Sequence, residues 1–211
     1  MTDLPGDHAE LLAILEEARH LGYLGPGPVE DHVRHGYGFV AAAGSYQRGL
    51  VIDLGSGAGV PGLMLALAWP EGTIVLVDAS ERRTQFLTSA VRRLDLGPPR
   101  VSVVRGRAEA VGRQVQWRQS ADLVVARGFG RPALIAECAA PLLREGGRLI
   151  VSEPPEEREG RWPEAGLEQL GLRRTARVRH HGCWYQTLGQ TEPSPQRFPR
   201  RPGIPGKRPL F

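Results

Sequence analysis

Asp53, Gly55, Gly57 and Gly59 stand at alternate positions, and Asp78 follows Gly55 by 23. Glycines at that spacing clear a turn of side chains, so a ligand can come up against bare backbone. An acid roughly 20 residues past such a turn holds ribose hydroxyls in nucleotide-binding folds. The set therefore points to a nucleoside-bearing ligand. Dinucleotide turns read G-x-G-x-x-G and seat a pyrophosphate on a helix N-terminus. Here the third glycine arrives one residue early, and Asp53 precedes the first by two. A glycine-rich turn also occurs in α/β proteins that bind no nucleotide, and an acid commonly ends a strand.

Such residues need strands and helices to present them. Leu50 to Leu54 is an apolar run with the length and branching of a buried strand, and Pro61 suits the first turn of the helix after the glycines. Further strands read at Thr73–Asp78, Arg100–Arg105, Asp122–Arg127 and Arg148–Ser152, with helices between them near Gly62–Trp69, Ser80–Leu94 and Pro132–Leu143. Gly146-Gly147 is the expected cap of the last of these helices. Alternation of this kind requires a parallel sheet with right-handed crossovers. A helix near Pro163–Leu170 and strands at Arg173–Arg179 and Cys183–Leu188 complete the expected fold, an α/β, Rossmann-like, seven-stranded and mostly parallel sheet with helices on both faces. Ligands bind outside the carboxyl ends of such strands. Ala108, Glu109 and Arg127 fall there, and Phe129 follows as an aromatic that could stack on a base or anchor a loop.

The expected organisation is a helical cap over 1–48, a ligand-binding domain over 49–190 and a tail over 191–211. The cap carries Arg34 and His35, read as a solvated face rather than an acceptor site. Hydrophobic residues make up 41% of the 211, enough for a core. No apolar run reaches the 18 residues of a membrane span, and Met1-Thr2-Asp3-Leu4 lacks a signal-peptide pattern. Cys138 and Cys183 have no metal or disulfide spacing, and His180-His181 is poor metal geometry, so no metal is expected and a reducing cytoplasm fits.

Net charge is +4, yet the segment from Arg173 onward carries nine basic residues against the single acid Glu192. Lys207 is the only lysine. Arginine suits bidentate contacts to phosphate, although a GC-rich genome enriches it everywhere. Arg197, Arg200, Arg201, Lys207 and Arg208 alternate with prolines, which exclude helix and central strand. The expectation is an extended tail that meets RNA phosphates and adds nothing to folding stability. The competing reading packs the tail against the acidic 153–159 loop.

Asp53-Leu54-Gly55-Ser56-Gly57-Ala58-Gly59 resembles motif I of the class I S-adenosylmethionine (AdoMet) methyltransferases, whose cationic ligand suits an acid beside the turn. More specifically, D-L-G-S-G-A-G-V-P-G, L-V-D-A-S-E-R-R-x-x-F-L, R-A-E and the tail F-P-R-R-P-G-I-P-G-K-R-P-L are similar to the glucose-inhibited division protein B family, methyltransferases of guanine N7 in small-subunit ribosomal RNA. The resemblance implies AdoMet contacts at Gly55, Val60, Ala108, Glu109 and Arg127, joined by Asp53, Gly57, Gly59 and Asp78 from the general class I pattern. It also implies a ribosomal RNA or small-subunit partner and no membrane. Ala126-Arg127-Gly128 stands where the family has serine-arginine-alanine, and Ser152-Glu153-Pro154 replaces a lysine-glycine pair. Arg34-His35 lacks the aspartate-serine-leucine that normally follows. These departures lie on the acceptor side and keep open a methyltransferase of a small molecule or protein. Intact Gly55, Gly57, Gly59 and Asp78 argue against a non-enzymatic RNA binder. Guanine N7 has a lone pair and no proton to lose, so no catalytic dyad is needed and none is found. Positioning carries the reaction, with Arg127 and Phe129 the acceptor-side candidates.

Overall fold

The computed structural model describes residues 8–44, 49–156 and 159–211. Its strands are β1 Gly49–Leu54, β2 Gly72–Asp78, β3 Val101–Arg105, β4 Ala121–Ala126, β5 Leu143–Glu153, β6 Leu172–His180 and β7 Cys183–Gln190. They form one sheet in the order β3-β2-β1-β4-β5-β7-β6. All pairings from β3 to β5 are parallel, and β7 runs antiparallel to both β5 and β6. This is the seven-stranded, mostly parallel sheet expected from the sequence. The inner strands are covered on both faces, which is why Ile74–Val77 reads as a continuous apolar run and Val51–Leu54 as one broken only by Asp53. Strand order reverses between β1 and β4, and that switch point opens a crevice at their carboxyl ends.

The helices are α1 Ala9–His20, α2 Val29–Ala43, α3 Gly62–Ala68, α4 Glu81–Arg93, α5 Ala108–Val111, α6 Pro132–Ala139, α7 Glu164–Glu168 and α8 Ile204–Lys207. One core lies beneath α1 to α4; the other lies beneath α5, α6, α7 and the tail. In α4, Ser80 caps the start by accepting Arg83 N at 3.4 Å, while Phe86, Leu87, Ala90 and Val91 turn inward. A fully buried side chain such as Leu87 contributes about 1.5–3 kcal/mol. The α2 helix approaches the sheet closely because Gly38 has no Cβ where the Tyr185 ring stands, and the Tyr185 hydroxyl donates to His35 O at 2.8 Å.

Three expectations need correction. First, α6 stops at Ala139, and Gly146-Gly147 lies inside β5 rather than capping a helix. Pro141 has no N–H to continue the helix. Its carbonyl and that of Leu142 accept from Gln119, Ser120 and Ala121 at 2.9, 3.0 and 2.9 Å, which draws the chain into the sheet. Second, Arg34 is exposed as expected but His35 is not part of a solvated face. It stacks on Phe39 at 6.0 Å, and its Nε2 is buried without a partner.

Third, the tail is neither loose nor wholly extended. Prolines leave their neighbours' carbonyls without strand partners, and one arginine serves several at once. The Arg118 guanidinium donates to Ser194 O, Pro195 O and Phe198 O at 2.8, 3.1 and 2.8 Å. Phe198 is 3% exposed. Gly203, at φ 82°, turns the chain into the single helical turn of α8. Among the described residues no tail cation meets the acidic loop: Glu153 is engaged by Arg161 and Trp162 at 2.7 and 3.1 Å, and residues 157 and 158 lie outside those described.

Candidate functional site

The glycine turn leaves β1 along a path that only glycine follows easily. Gly55, Gly57 and Gly59 have φ of 71°, 57° and 90°. A Cβ on Gly55 would stand 2.5 Å from the Phe129 ring, so that glycine also makes room for the loop after β4. The turn is stitched to β2 by Gly55 N and Ser56 N, which both donate to Val77 O, at 2.9 and 3.0 Å. Asp78 then holds the turn from the other side. Its Oδ2 accepts Gly57 N at 3.0 Å and its Oδ1 accepts Ser80 N at 2.8 Å, with Arg83 3.8 Å away.

Beneath the turn lies Asp53, 1% exposed. Its Oδ2 accepts Gly62 N at 3.0 Å, at the start of α3, while its Oδ1 has no partner. Burial pushes the carboxyl up to about 7, against the opposing pull of the Gly62 N–H. An acid at the base of the turn is thus poised between its neutral and ionised forms near neutral pH.

A cleft of about 320 Å³ opens above the turn. Gly55, Ser56, Gly57, Ala58 and Val60 form its floor; Arg127 and Gly128 at the end of β4 form one wall, and Arg83 of α4 lines the cleft with its guanidinium 5.8 Å from the Tyr23 ring centre. Tyr23, Leu24 and Gly25, from the loop between α1 and α2, form the other wall. Those three belong to none of the motifs of the sequence. A wider groove of about 460 Å³ between α7 and β6 contains none of the glycine turn.

With Arg83, Arg127 is one of the two cations that line this cleft. Its guanidinium donates to His32 Nδ1 of α2. His32 Nε2 in turn stands 3.1 Å from Gly25 O. Burial, then Arg127, lower the His32 pKa, and the same two causes with His32 added bring His35 down to about 4. Both rings are therefore neutral beside Arg127 at pH 7.

The structure brings Gly55, Gly57, Val60 and Arg127 together in the cleft, with Asp53 below and Asp78 behind. Gly59 faces inward, toward Leu63 and Leu87. Ala108 and Glu109 begin α5 after β3, 6% and 4% exposed. The Glu109 carboxylate is turned to the tail: Oε1 accepts Gly203 N at 2.8 Å and Arg107 at 3.2 Å. Burial alone would raise its pKa, but these donors outweigh it and hold it below the usual range. Phe129 packs over Gly55 and against the core beneath α6.

Among the tail cations, Arg197, Arg201, Lys207 and Arg208 are exposed, whereas Arg200 is not free. Its guanidinium meets both oxygens of the fully buried Glu137, at 2.8 and 2.6 Å, and its backbone N–H donates to the same carboxylate at 2.8 Å. Cys138 is fully buried, as expected of a core residue, and its thiol pKa is pushed up by that burial. Among the described residues no group of histidine, cysteine or acid side chains could hold a metal, and no helix is long and apolar enough to cross a membrane.

The family model for rRNA small subunit methyltransferase G (GidB) matches residues 30–159. A relative from Thermotoga neapolitana named ribosomal RNA small subunit methyltransferase G is 38% identical over 171 residues, covering 78% of this chain and 72% of that protein. One of the same name from Moorella thermoacetica is 36% identical over 167 residues, covering 76% and 69%. Among solved structures, an Aquifex aeolicus SAM-dependent methyltransferase superposes with a TM-score of 0.61 at 15% identity, covering 83% of this chain and 98% of that one. The Methanococcus jannaschii fibrillarin pre-rRNA processing protein gives 0.53 at 14%, covering 69% and 68%. At these identities the structural likenesses establish the fold.

Proposed function

The chain belongs to the rRNA small subunit methyltransferase G (GidB) family, and from that premise we propose that it is an AdoMet-dependent methyltransferase whose acceptor is N7 of a guanine in 16S ribosomal RNA. The observation that carries the reading is the cleft itself. It joins a side-chain-free turn, a buried acid with one unpartnered oxygen and a basic wall at the carboxyl ends of β1 and β4. These features fit a nucleoside with a cationic centre and a carboxylate. Bound AdoMet supplies an electrophilic methyl group on a sulfonium.

The chain's own work is to hold and orient. Gly55, Gly57 and Val60 admit the ligand to the backbone. Asp78 retains lone pairs beyond its two backbone bonds for ribose hydroxyls. Ala108 and Glu109 border the base, and the Glu109 turn is fixed by Gly203. Arg127 offers a guanidinium to the amino-acid carboxylate. Asp53 lies below as counter-charge, and Gly59 lets the turn pack on α3. Phe129 beside Gly55 offers a ring on which an extruded base can stack. No residue need act as a general base, because guanine N7 presents its lone pair without losing a proton.

The exposed Arg197, Arg201, Lys207 and Arg208 are proposed to meet RNA phosphates, and the packed tail beneath them gives those cations a fixed geometry. Arg200 contributes mainly by anchoring that tail. A ribosomal substrate also favours the cytoplasm. The test is transfer of labelled methyl from AdoMet to small subunits lacking the modification, with nucleoside mass spectrometry of the product. A label in 7-methylguanosine of 16S ribosomal RNA is the expected result. AdoMet binding with no methylation of any ribosomal RNA would turn the reading toward a small-molecule or protein acceptor.

A further inference from the structure

The two walls of the cleft are joined by one side chain that no motif contains. His32 lies in α2, 8% exposed. Its Nδ1 faces the Arg127 guanidinium, and its Nε2 is 3.1 Å from Gly25 O. These partners define the tautomer by chemistry alone. A guanidinium only donates, so Nδ1 must accept; a carbonyl only accepts, so Nε2 must carry the proton. A single neutral imidazole therefore spans from the sheet wall at Arg127 to the cap wall at Gly25.

We propose that His32 is a positioning residue of the methyl-transfer site: as a neutral ring it locks the Arg127 side chain and the Tyr23–Gly25 loop into one frame around the cofactor, and its protonation releases Arg127. The proposal rests on the reading of Arg127 as a cofactor contact. On protonation, Nδ1 becomes a donor facing donors, and two cations meet in a half-closed space. Among the described residues, the charged and titratable groups around the ring are Arg127 at the end of β4 and Asp31 and His35 from α2; Tyr185, Cys183 and Asp53 act on Arg127 in turn. Asp31 is engaged by Arg34 on the outer side of α2. Burial and Arg127 favour the neutral ring more than Asp31 opposes it, so the frame is intact at neutral pH. Arg127 itself is half-buried, and without His32 its donors on that side lose their partner.

The experiment measures AdoMet dissociation constants of the full-length chain by calorimetry from pH 5 to 8.5, for the parent, His32→Asn, His32→Ala and Arg127→Ala. Asparagine offers a non-titrating oxygen near the place of Nδ1. At pH 7.5, His32→Asn should bind within about threefold of the parent and His32→Ala about 10- to 100-fold more weakly, the range for a hydrogen bond to a charged group. On the acid side of the ordinary imidazole range the parent should lose affinity, up to tenfold per pH unit, and His32→Asn should lack that limb. Any limb from Asp53 is common to both and cancels. Identical acid limbs in parent and His32→Asn, or unchanged affinity in His32→Ala, overturns the proposal. If His32→Ala does not fold, the comparison of parent with His32→Asn still decides. Unchanged affinity in Arg127→Ala overturns the cofactor reading of Arg127, a failure visible apart from any effect at His32.

Discussion

Replacing Asp53 by asparagine tests how the glycine turn is supported. The folded carboxyl titrates at about 7 against an ordinary 3.8, so folding favours its neutral form. A raised acid contributes stability that is complete below about pH 4 and lost as pH rises through 7. A rise from 3.8 to about 7 corresponds to about 4 kcal/mol across that whole window, an upper figure for a single site. Asparagine keeps an acceptor for Gly62 N and never ionises. Its amide N–H₂ falls where Oδ1 now lacks a partner, which costs about 1–3 kcal/mol at every pH. Asp53→Asn should therefore be the less stable protein at pH 4.5 and the more stable one at pH 8.5. Urea unfolding at both values, with the difference between the proteins taken at each pH, isolates Asp53 from every other titrating group. The expected swing between these two pH values is about 3 kcal/mol, or on the order of 10 °C in melting temperature for a domain of this size. Parallel stability curves, with a swing below about 1 kcal/mol, would refute the reasoning by showing that Asp53 is solvated or paired at neutral pH.

Asp78→Ala should weaken AdoMet binding by about 1–3 kcal/mol by calorimetry, through lost bonds to the ribose and a slackened Gly57 N–H. Arg200→Ala leaves the fully buried Glu137 carboxylate without its cation and should cost about 3–5 kcal/mol in chemical unfolding, with Glu137→Gln costing less. Replacing Arg201, Lys207 and Arg208 by glutamine should leave the melting temperature unchanged while flattening the log–log salt dependence of RNA binding by about 0.7 per cation in contact with single-stranded RNA. An unchanged salt slope in that triple variant would remove the tail from the RNA interface.

The fold was legible because its information is local. Ile74–Val77 is apolar without interruption, and Val51–Leu54 is broken only by Asp53, because each strand is flanked on both sides and covered on both faces. Gly55, Gly57 and Gly59 announce the turn because no other residue follows that backbone path without strain. The α6 boundary was misread because its apolar pattern runs on past Ala139. What ends the helix is Pro141 together with donors from Gln119 to Ala121, a partner set that no window along the chain contains.

The same distinction separates the readable half of the site from the unreadable half. Residues that act through their own backbone or strand position, such as Gly55 and Asp78, are visible in spacing. Residues that act through a distant partner are not. His32 reads as one more polar position on α2, and its meaning depends on Arg127, 95 residues away. Glu109 reads as a cofactor contact, and what the sequence does not show is that its Oε1 also accepts from Gly203, 94 residues on. The tail shows the sharpest consequence. Proline and arginine, counted by composition, argue for an extended, solvated segment. Placed beside Glu137 and Arg118 they do the reverse, because a buried carboxylate needs a cation and proline-rich backbone leaves carbonyls that a guanidinium can collect. A basic tail can therefore be bound down by some of its own cations while presenting the others, and only the three-dimensional partners say which are which.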